Sequence, residues 1–245
     1  MQACFLTIAA ADNSGGAGIQ QDLRVAEKLG FWGLSAITGL TVQDFDGLDK
    51  IHPTNPQILK AQIEKCFRSF DVNSVKIGAI CSNENLQIIV KLLKKYQPKI
   101  IVLDTVFAPT NGDNFIKNIE LFKNELMPLS TFITPNKDEL EKIANQKIYT
   151  FEEAVKIGKN IVQKYDSSIY LTGGHFAERK EALITKNKTQ IFQKEKWSYQ
   201  YKHGTGCAFS SAFTCFLTTE INSEVASQKA SKLVEKLYKK FNSSK

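Results

Sequence analysis

The sequence predicts an α/β protein whose mostly parallel sheet is covered by helices on both faces. Strand-length apolar runs alternate with segments carrying apolar residues at helical spacing along the 245 residues. Asp12, Asp104, Asn136 and Thr172 fall at the ends of such runs, at the sheet edge where open α/β proteins hold ligands. No Pro/Gly/Ser-rich linker interrupts the pattern, so one domain over residues 1–245 is expected, with ample length for a core.

The elements follow in order. Residues 3–11 form a first buried strand, and Asp12-Asn13-Ser14-Gly15-Gly16-Ala17-Gly18 supplies a turn and a helix start. Ile19, Leu23, Ala26 and Leu29 continue that helix to Gly30. Phe31 to Thr41 reads as a second strand, and Pro53-Thr54-Asn55-Pro56 opens a helix through Ile58, Ala61, Ile63 and Phe67. A third strand lies near 74–77. Leu86, Ile89, Val90 and Leu93 mark a helix, and Ile100-Ile101-Val102-Leu103 a strand. Phe115, Ile119 and Phe122 predict a further helix, 131–134 a strand stopped by Pro135, and 139–144 a short helix. A helix over 151–165 leads to the strand 168–171. Weaker strands near 181–185 and 189–193 precede the last two helices, which end near 219 and span about 223–241.

Composition removes several functions. The net charge of +7 would suit nucleic acid, but only three of the 32 basic residues are arginines (Arg24, Arg68, Arg179), and the lysines are scattered. No nucleic-acid partner is expected. Five cysteines without a Cys-x-x-Cys pair suggest neither a disulfide framework nor a zinc site and fit a reducing, cytoplasmic compartment. The apolar N-terminus lacks a preceding positive charge and meets Asp12 at once, unlike a signal peptide. Nothing approaches the ~20 apolar residues of a membrane span. Gly16-Ala17-Gly18 is followed by Gln21 where a dinucleotide fingerprint needs glycine, and no P-loop occurs.

The stretch His203-Gly204-Thr205-Gly206-Cys207 runs into small, helix-compatible residues. A tight loop opening into a helix leaves N–H groups free for a phosphate or a developing negative charge. A thiol in the first helical turn is expected to have a lowered pKa, making Cys207 a candidate base or nucleophile. The competing reading is close packing at the glycines and a small buried hydrophobe at Cys207. Gln43, ending the second strand, carries donors and an acceptor suited to an aminopyrimidine, or is a loop cap. Asp22 is either a pocket acceptor or an exposed helix residue.

Taken together, several stations resemble the hydroxymethylpyrimidine/phosphomethylpyrimidine kinases of the ribokinase-like superfamily. They are Ile8 to Leu23, Leu40-Thr41-Val42-Gln43, Val75-Lys76-Ile77-Gly78, Val102-Leu103-Asp104, Ile133-Thr134-Pro135-Asn136 with Glu139, Gly173-Gly174-His175, and His203 to Cys207. The resemblance implies a three-layer α/β/α sandwich and ATP-dependent phosphorylation of a pyrimidine alcohol to its monophosphate and then its diphosphate in thiamine synthesis. Gly204, Thr205, Gly206 and Cys207 would form the anion hole, with Cys207 as the base. Substrate would meet Gln43, Asp22, Ala10, Ala79 and Val106; ATP would meet Thr172, Gly174 and His203. Asp104 and Glu139 would serve Mg²⁺, Glu139 through the Asn136-x-x-Glu139 pattern.

A homodimer is also implied. Ala10-Ala11, Asn13, Thr105 and Ala79-Ile80 depart from the family's usual residues, and the loop 107–113, a candidate lid, lacks a lysine often found there. These departures bear on substrate preference and on the second phosphorylation. Two other functions stay open: a pyridoxal-type vitamin kinase on the same fold, and a catalytically silent ligand-binding protein.

Overall fold

The computed structural model describes residues 3–107, 115–116, 118–173, 176, 179–194 and 203–243, with side chains to 239. Its strands are β1 (Cys4–Asp12), β2 (Trp32–Gln43), β3 (Leu48–Pro53), β4 (Ser74–Ile77), β5 (Ile100–Leu103), β6 (Phe132–Ile133), β7 (Ser168–Leu171), β8 (Lys180–Ile184) and β9 (Thr189–Gln193). They form one sheet in the order β3-β2-β1-β4-β5-β6-β7-β8-β9. The six strands from β2 to β7 pair in parallel, and β3, β8 and β9 join antiparallel at the two margins.

Helices α1 (Gly18–Lys28), α2 (Pro56–Ser69) and α3 (Asn83–Tyr96) precede a short turn α4 (Ile119–Leu121). Then come α5 (Lys137–Ala144), α6 (Phe151–Tyr165), α7 (Thr205–Thr219) and α8 (Ser223–Ser243). Alternation along the strands sends their side chains to two cores. Leu6, Ile8, Val75, Ile77, Ile101, Leu103, Ile133 and Ile169 pack with Leu59 and Ile63 of α2, Ile89 of α3 and Ala154 of α6. On the other face Val102, Phe132 and Tyr170 meet Val25 of α1, Phe209 and Phe213 of α7 and Ala230 of α8. The expected three layers are thus present.

Three local readings differ. Strand β3 was not expected: Leu48-Asp49-Lys50-Ile51-His52-Pro53 has no apolar run, and its order comes from pairing with Gly39–Gln43 of β2. Its proline sits at the sheet margin, where a missing N–H is tolerated. The helix expected around 115–122 is only the α4 turn, continued by a π-helical turn at Phe122–Leu126 and a 3₁₀ turn at Met127–Leu129. Pro128 denies the α-helix a donor there. Strand β6 keeps two of the four residues expected.

Strand β1 has β2 on one side and β4 on the other, so the strand order reverses there and opens a crevice beyond their carboxyl ends. Helix α7 packs beneath that crevice, against β4, β5, β1 and α1.

Candidate active site

Two loops build the mouth of the crevice. Gly204 precedes α7 in the left-handed region at φ 79°, and a Cβ there would collide with the Gly16 carbonyl of the β1–α1 loop. Only glycine permits both the conformation and the approach. No side chain caps α7, so its first-turn N–H groups are left for another acceptor. The preceding residue fastens the two loops: His203 Nε2 lies 2.9 Å from Asp12 Oδ2, and Tyr238 Oη donates to the His203 carbonyl at 2.8 Å.

Asp12 is 1 % exposed. It accepts from the Ser14 N–H at 2.8 Å, the Ser14 hydroxyl at 2.7 Å and the Ala17 N–H at 2.8 Å. Burial opposes its charge, yet the hydrogen bonds from His203, Ser14, Ala17 and Gln43 outweigh burial and hold its pKa well below the usual carboxylate range. His203, expected at ATP, is therefore engaged with Asp12, its ring edge-on to Phe45 at 5.8 Å.

Below the α7 start lies a polar cluster that the sequence reading missed. Lys76 of β4 is fully buried, and its Nζ is 2.9 Å from both Asp22 carboxylate oxygens and 3.6 Å from Asp104 Oδ2. Thr7 of β1 donates to Asp22 Oδ2 at 2.6 Å, and Ser211 of α7 to Oδ1 at 2.7 Å. Ser210 donates to Asp104 Oδ2 at 2.9 Å. Burial works against the ammonium, but Asp22, Cys207 and Asp104 hold its pKa well above the ordinary lysine value. The available signal was a lysine inside the buried apolar run Val75-Lys76-Ile77, where an uncompensated charge would not persist.

This corrects the reading of Asp22. It is neither an exposed helix residue nor a group open to substrate: it is fully buried, with both oxygens occupied. The expected depression of the Cys207 pKa is also overturned. Burial pushes the half-buried thiol up to about 12; Lys76 pulls it down, Asp104 and Asp22 push it further up, and the Gly18 backbone draws it down. The helix dipole, worth a fraction of a kcal/mol to ~2 kcal/mol, does not overcome burial beside two carboxylates.

Asp104 ends β5 almost fully buried, and burial raises its pKa against the pull of Lys76 and Ser210. Asn136 and Glu139 form a reciprocal capping box at the start of α5: Asn136 Oδ1 accepts from the Glu139 N–H at 3.0 Å, and Glu139 Oε2 from the Asn136 N–H at 2.9 Å. Thr105, which follows Asp104, donates to the same Oε2 at 2.7 Å. Burial and the nearby Asp104 charge raise the Glu139 pKa to about 8.

The other expected residues lie around the same edge. Gln43 is half-buried at the end of β2; its N–H donates to Asn13 Oδ1 at 2.8 Å and its side chain hydrogen-bonds Asp12. Ala10 is 4 % exposed on β1, while Ala79 and Val106 are half-buried beyond β4 and β5. Thr172, after β7, donates through its N–H to the Pro135 carbonyl at 3.0 Å. Gly174, and residues 108–113 of the expected lid, lie outside the described residues.

This arrangement of strand ends around an uncapped helix start has counterparts among known proteins. A family model described as phosphomethylpyrimidine kinase matches residues 12–244. The chain belongs to that family. The hydroxymethylpyrimidine/phosphomethylpyrimidine kinase of Aquifex aeolicus (strain VF5) is 30 % identical over 211 residues, covering 84 % of this chain and 83 % of that protein. The phosphomethylpyrimidine kinase of Clostridium difficile 630 superposes with a TM-score of 0.86 at 33 % identity, covering 96 % and 99 % of the two chains. The pyridoxal kinase of Bacillus subtilis, solved as an ADP complex, gives 0.86 at 25 % identity, covering 95 % and 90 %. Membership makes the chain a kinase on the ribokinase-like fold. Among the described residues no helix is long and apolar enough to cross a membrane.

Proposed function

We propose that this kinase transfers the γ-phosphoryl group of ATP to 4-amino-5-hydroxymethyl-2-methylpyrimidine, and then a second group to the resulting monophosphate, for thiamine synthesis. The observation that carries this reading is the uncapped start of α7, set at the strand-order reversal beside two buried carboxylates. Phosphoryl transfer needs mainly positioning and relief of charge on the moving group. The N–H groups over Gly204, Thr205, Gly206 and Cys207 face that charge, supported by the positive end of α7.

Cys207 stands where it can take the hydrogen of the attacking hydroxyl. With its thiol raised to about 12, it rests protonated at pH 7, so it takes the hydroxyl proton only in concert with passing its own S–H proton to the Asp104 carboxylate, to which it is hydrogen-bonded. Gln43 reads the aminopyrimidine edge after releasing Asp12, and Ala10, Ala79 and Val106 flank the ring. In this reading ATP meets Thr172, Gly174 and His203, with His203 acting through its grip on Asp12.

The residues present fit Mg²⁺: this ion takes one or two carboxylates and completes its shell with phosphate oxygens and water, and half-buried Glu139 and buried Asp104 are carboxylates whose charges repel each other. When bound, the ion neutralises the phosphates. Glu139, held by Thr105 and Asn136, would present its carboxylate to the ion, and Asp104 would supply the second charge. We further propose that the chain acts as a single domain in the cytoplasm and as a homodimer, the last supported by Leu40, Val42 and Phe45, each more than half exposed on the lip formed by β2 and the turn after it.

A pyridoxal-type kinase remains a second reading, favoured by the overlay on a pyridoxal kinase. ADP release measured side by side with hydroxymethylpyrimidine, its monophosphate and pyridoxal separates the two. Turnover of both pyrimidines with little on pyridoxal is expected. Preference for pyridoxal selects the second reading, and no turnover of any substrate favours a silent binder.

A further inference from the structure

We propose that Lys76 is a positioning residue for phosphoryl transfer: held by Asp22, its ammonium fixes Asp104 and the first turns of α7 in one arrangement. The inference rests on the reading that transfer occurs at the α7 start.

The sheet face toward α7 is largely apolar. Val102, Phe132 and Tyr170 present there, whereas Thr7 and Lys76 interrupt the pattern beside one another on paired strands, in register as neighbours. Every polar partner they meet is also a bridge between elements. Asp22 brings in α1, Asp104 the end of β5, and Ser210 and Ser211 the second turn of α7. Cys207 and Ser211 are four residues apart, hence on one side of the helix, and Cys207 and Ser210 are three apart. The turn that presents the anion hole is therefore tied through two serines to carboxylates that Lys76 holds.

A fully buried lysine is an expensive way to fill space. Its desolvation is compensated only by close carboxylates, and apolar replacements of such clusters are often neutral or stabilising. Packing alone does not call for it, since neighbouring strands fill the same layer with valine, phenylalanine and tyrosine. What the ion pairs add is direction. Lys76 sets where Asp104 points, and Asp22 sets where Ser211 and the α7 backbone sit.

The test replaces the pair by neutral residues of similar volume, Lys76→Met with Asp22→Asn, which leaves no uncompensated charge from the pair. Thermal unfolding, kcat and KM for ATP and for the pyrimidine are measured, with Cys207→Ala alongside. Expected is a melting temperature near that of the wild type, KM values within about threefold, and a kcat lower by roughly 100-fold, as misplacement of reacting groups costs. Asp22→Asn alone, which leaves Lys76 on Asp104, should lower kcat by less.

A folded double variant with wild-type kcat overturns the proposal. So does a variant whose KM values rise as much as kcat falls, which makes the cluster a binding device, or failure of both variants to fold, which makes it a stability device. If Cys207→Ala retains wild-type kcat while the double variant loses it, the assignment of Cys207 fails and that of Lys76 stands.

Discussion

At the scale of single residues, charge and burial decide more than residue type. Cys207 sits in the first turn of a helix, yet its thiol stays protonated at neutral pH because burial beside Asp22 and Asp104 outweighs the dipole. Iodoacetamide should accordingly modify Cys207 far more slowly at pH 7.5 than a free cysteine, and faster as pH rises; modification at the free-thiol rate would contradict the raised pKa. General-base assistance contributes ~10²–10⁴ in rate, so Cys207→Ala should lower kcat within that range and leave ATP affinity largely unchanged. Cys207→Asp should retain more activity than alanine. A near-wild-type kcat in the alanine variant would leave the helix N–H groups to account for transfer alone.

Asp12 provides the pH test. Its folded pKa is depressed from the ordinary 3.8, so the stability it contributes is present above that value and is lost as pH falls below it toward the folded pKa. Asp12→Asn should lower stability by roughly 1–3 kcal/mol at pH 7, since charge-assisted hydrogen bonds become neutral ones. The difference in melting temperature between wild type and variant should shrink steadily below pH 4; a constant gap would remove the carboxylate charge from the loop's support.

At the scale of elements, the loop before α7 and the loop before α1 are one construction. Gly204 lies against the Gly16 carbonyl, and His203 against Asp12. Gly204→Ala forces a side chain into both a left-handed conformation and an occupied space, so the two loops must part. A drop in kcat of at least tenfold with a lowered melting temperature is expected, whereas Gly206→Ala, whose Cβ meets nothing within 4 Å, should fold normally. Equal behaviour of the two variants would show that contact between the loops does not matter. Glu139 shows how a motif can serve twice. The Asn-x-x-Glu spacing closes a capping box on α5 and, through Thr105, joins that helix to the end of β5.

At the scale of the whole molecule, the parallel sheet gathers the ends of β1, β2, β4, β5, β6 and β7 along one edge, and α7 starts among them. The exposed apolar lip of β2 lies near the same edge. Replacing Leu40 and Val42 by Glu should, on the homodimer reading, reduce the mass seen by light scattering to about half and leave the fold intact. A wild-type protein already at the monomer mass ends that reading.

Much of this organisation was legible in the chain because it is local. Apolar runs such as Ile100–Leu103 and 168–171 carry the strand pattern in their own residues, and 151–165 carries the helical spacing in its own. The glycines at 204 and 206 likewise announced a loop opening a helix. What the sequence could not decide were pairings between residues far apart in it. Strand β3 exists because β2 offers it hydrogen bonds, and Asp22 is a buried counter-ion because Lys76 stands 54 residues later in the chain. The protonation of Cys207 belongs to the same class: helix position is written in the local sequence, but desolvation and the carboxylates that raise its pKa arise only when β4, β5, α1 and α7 close around it.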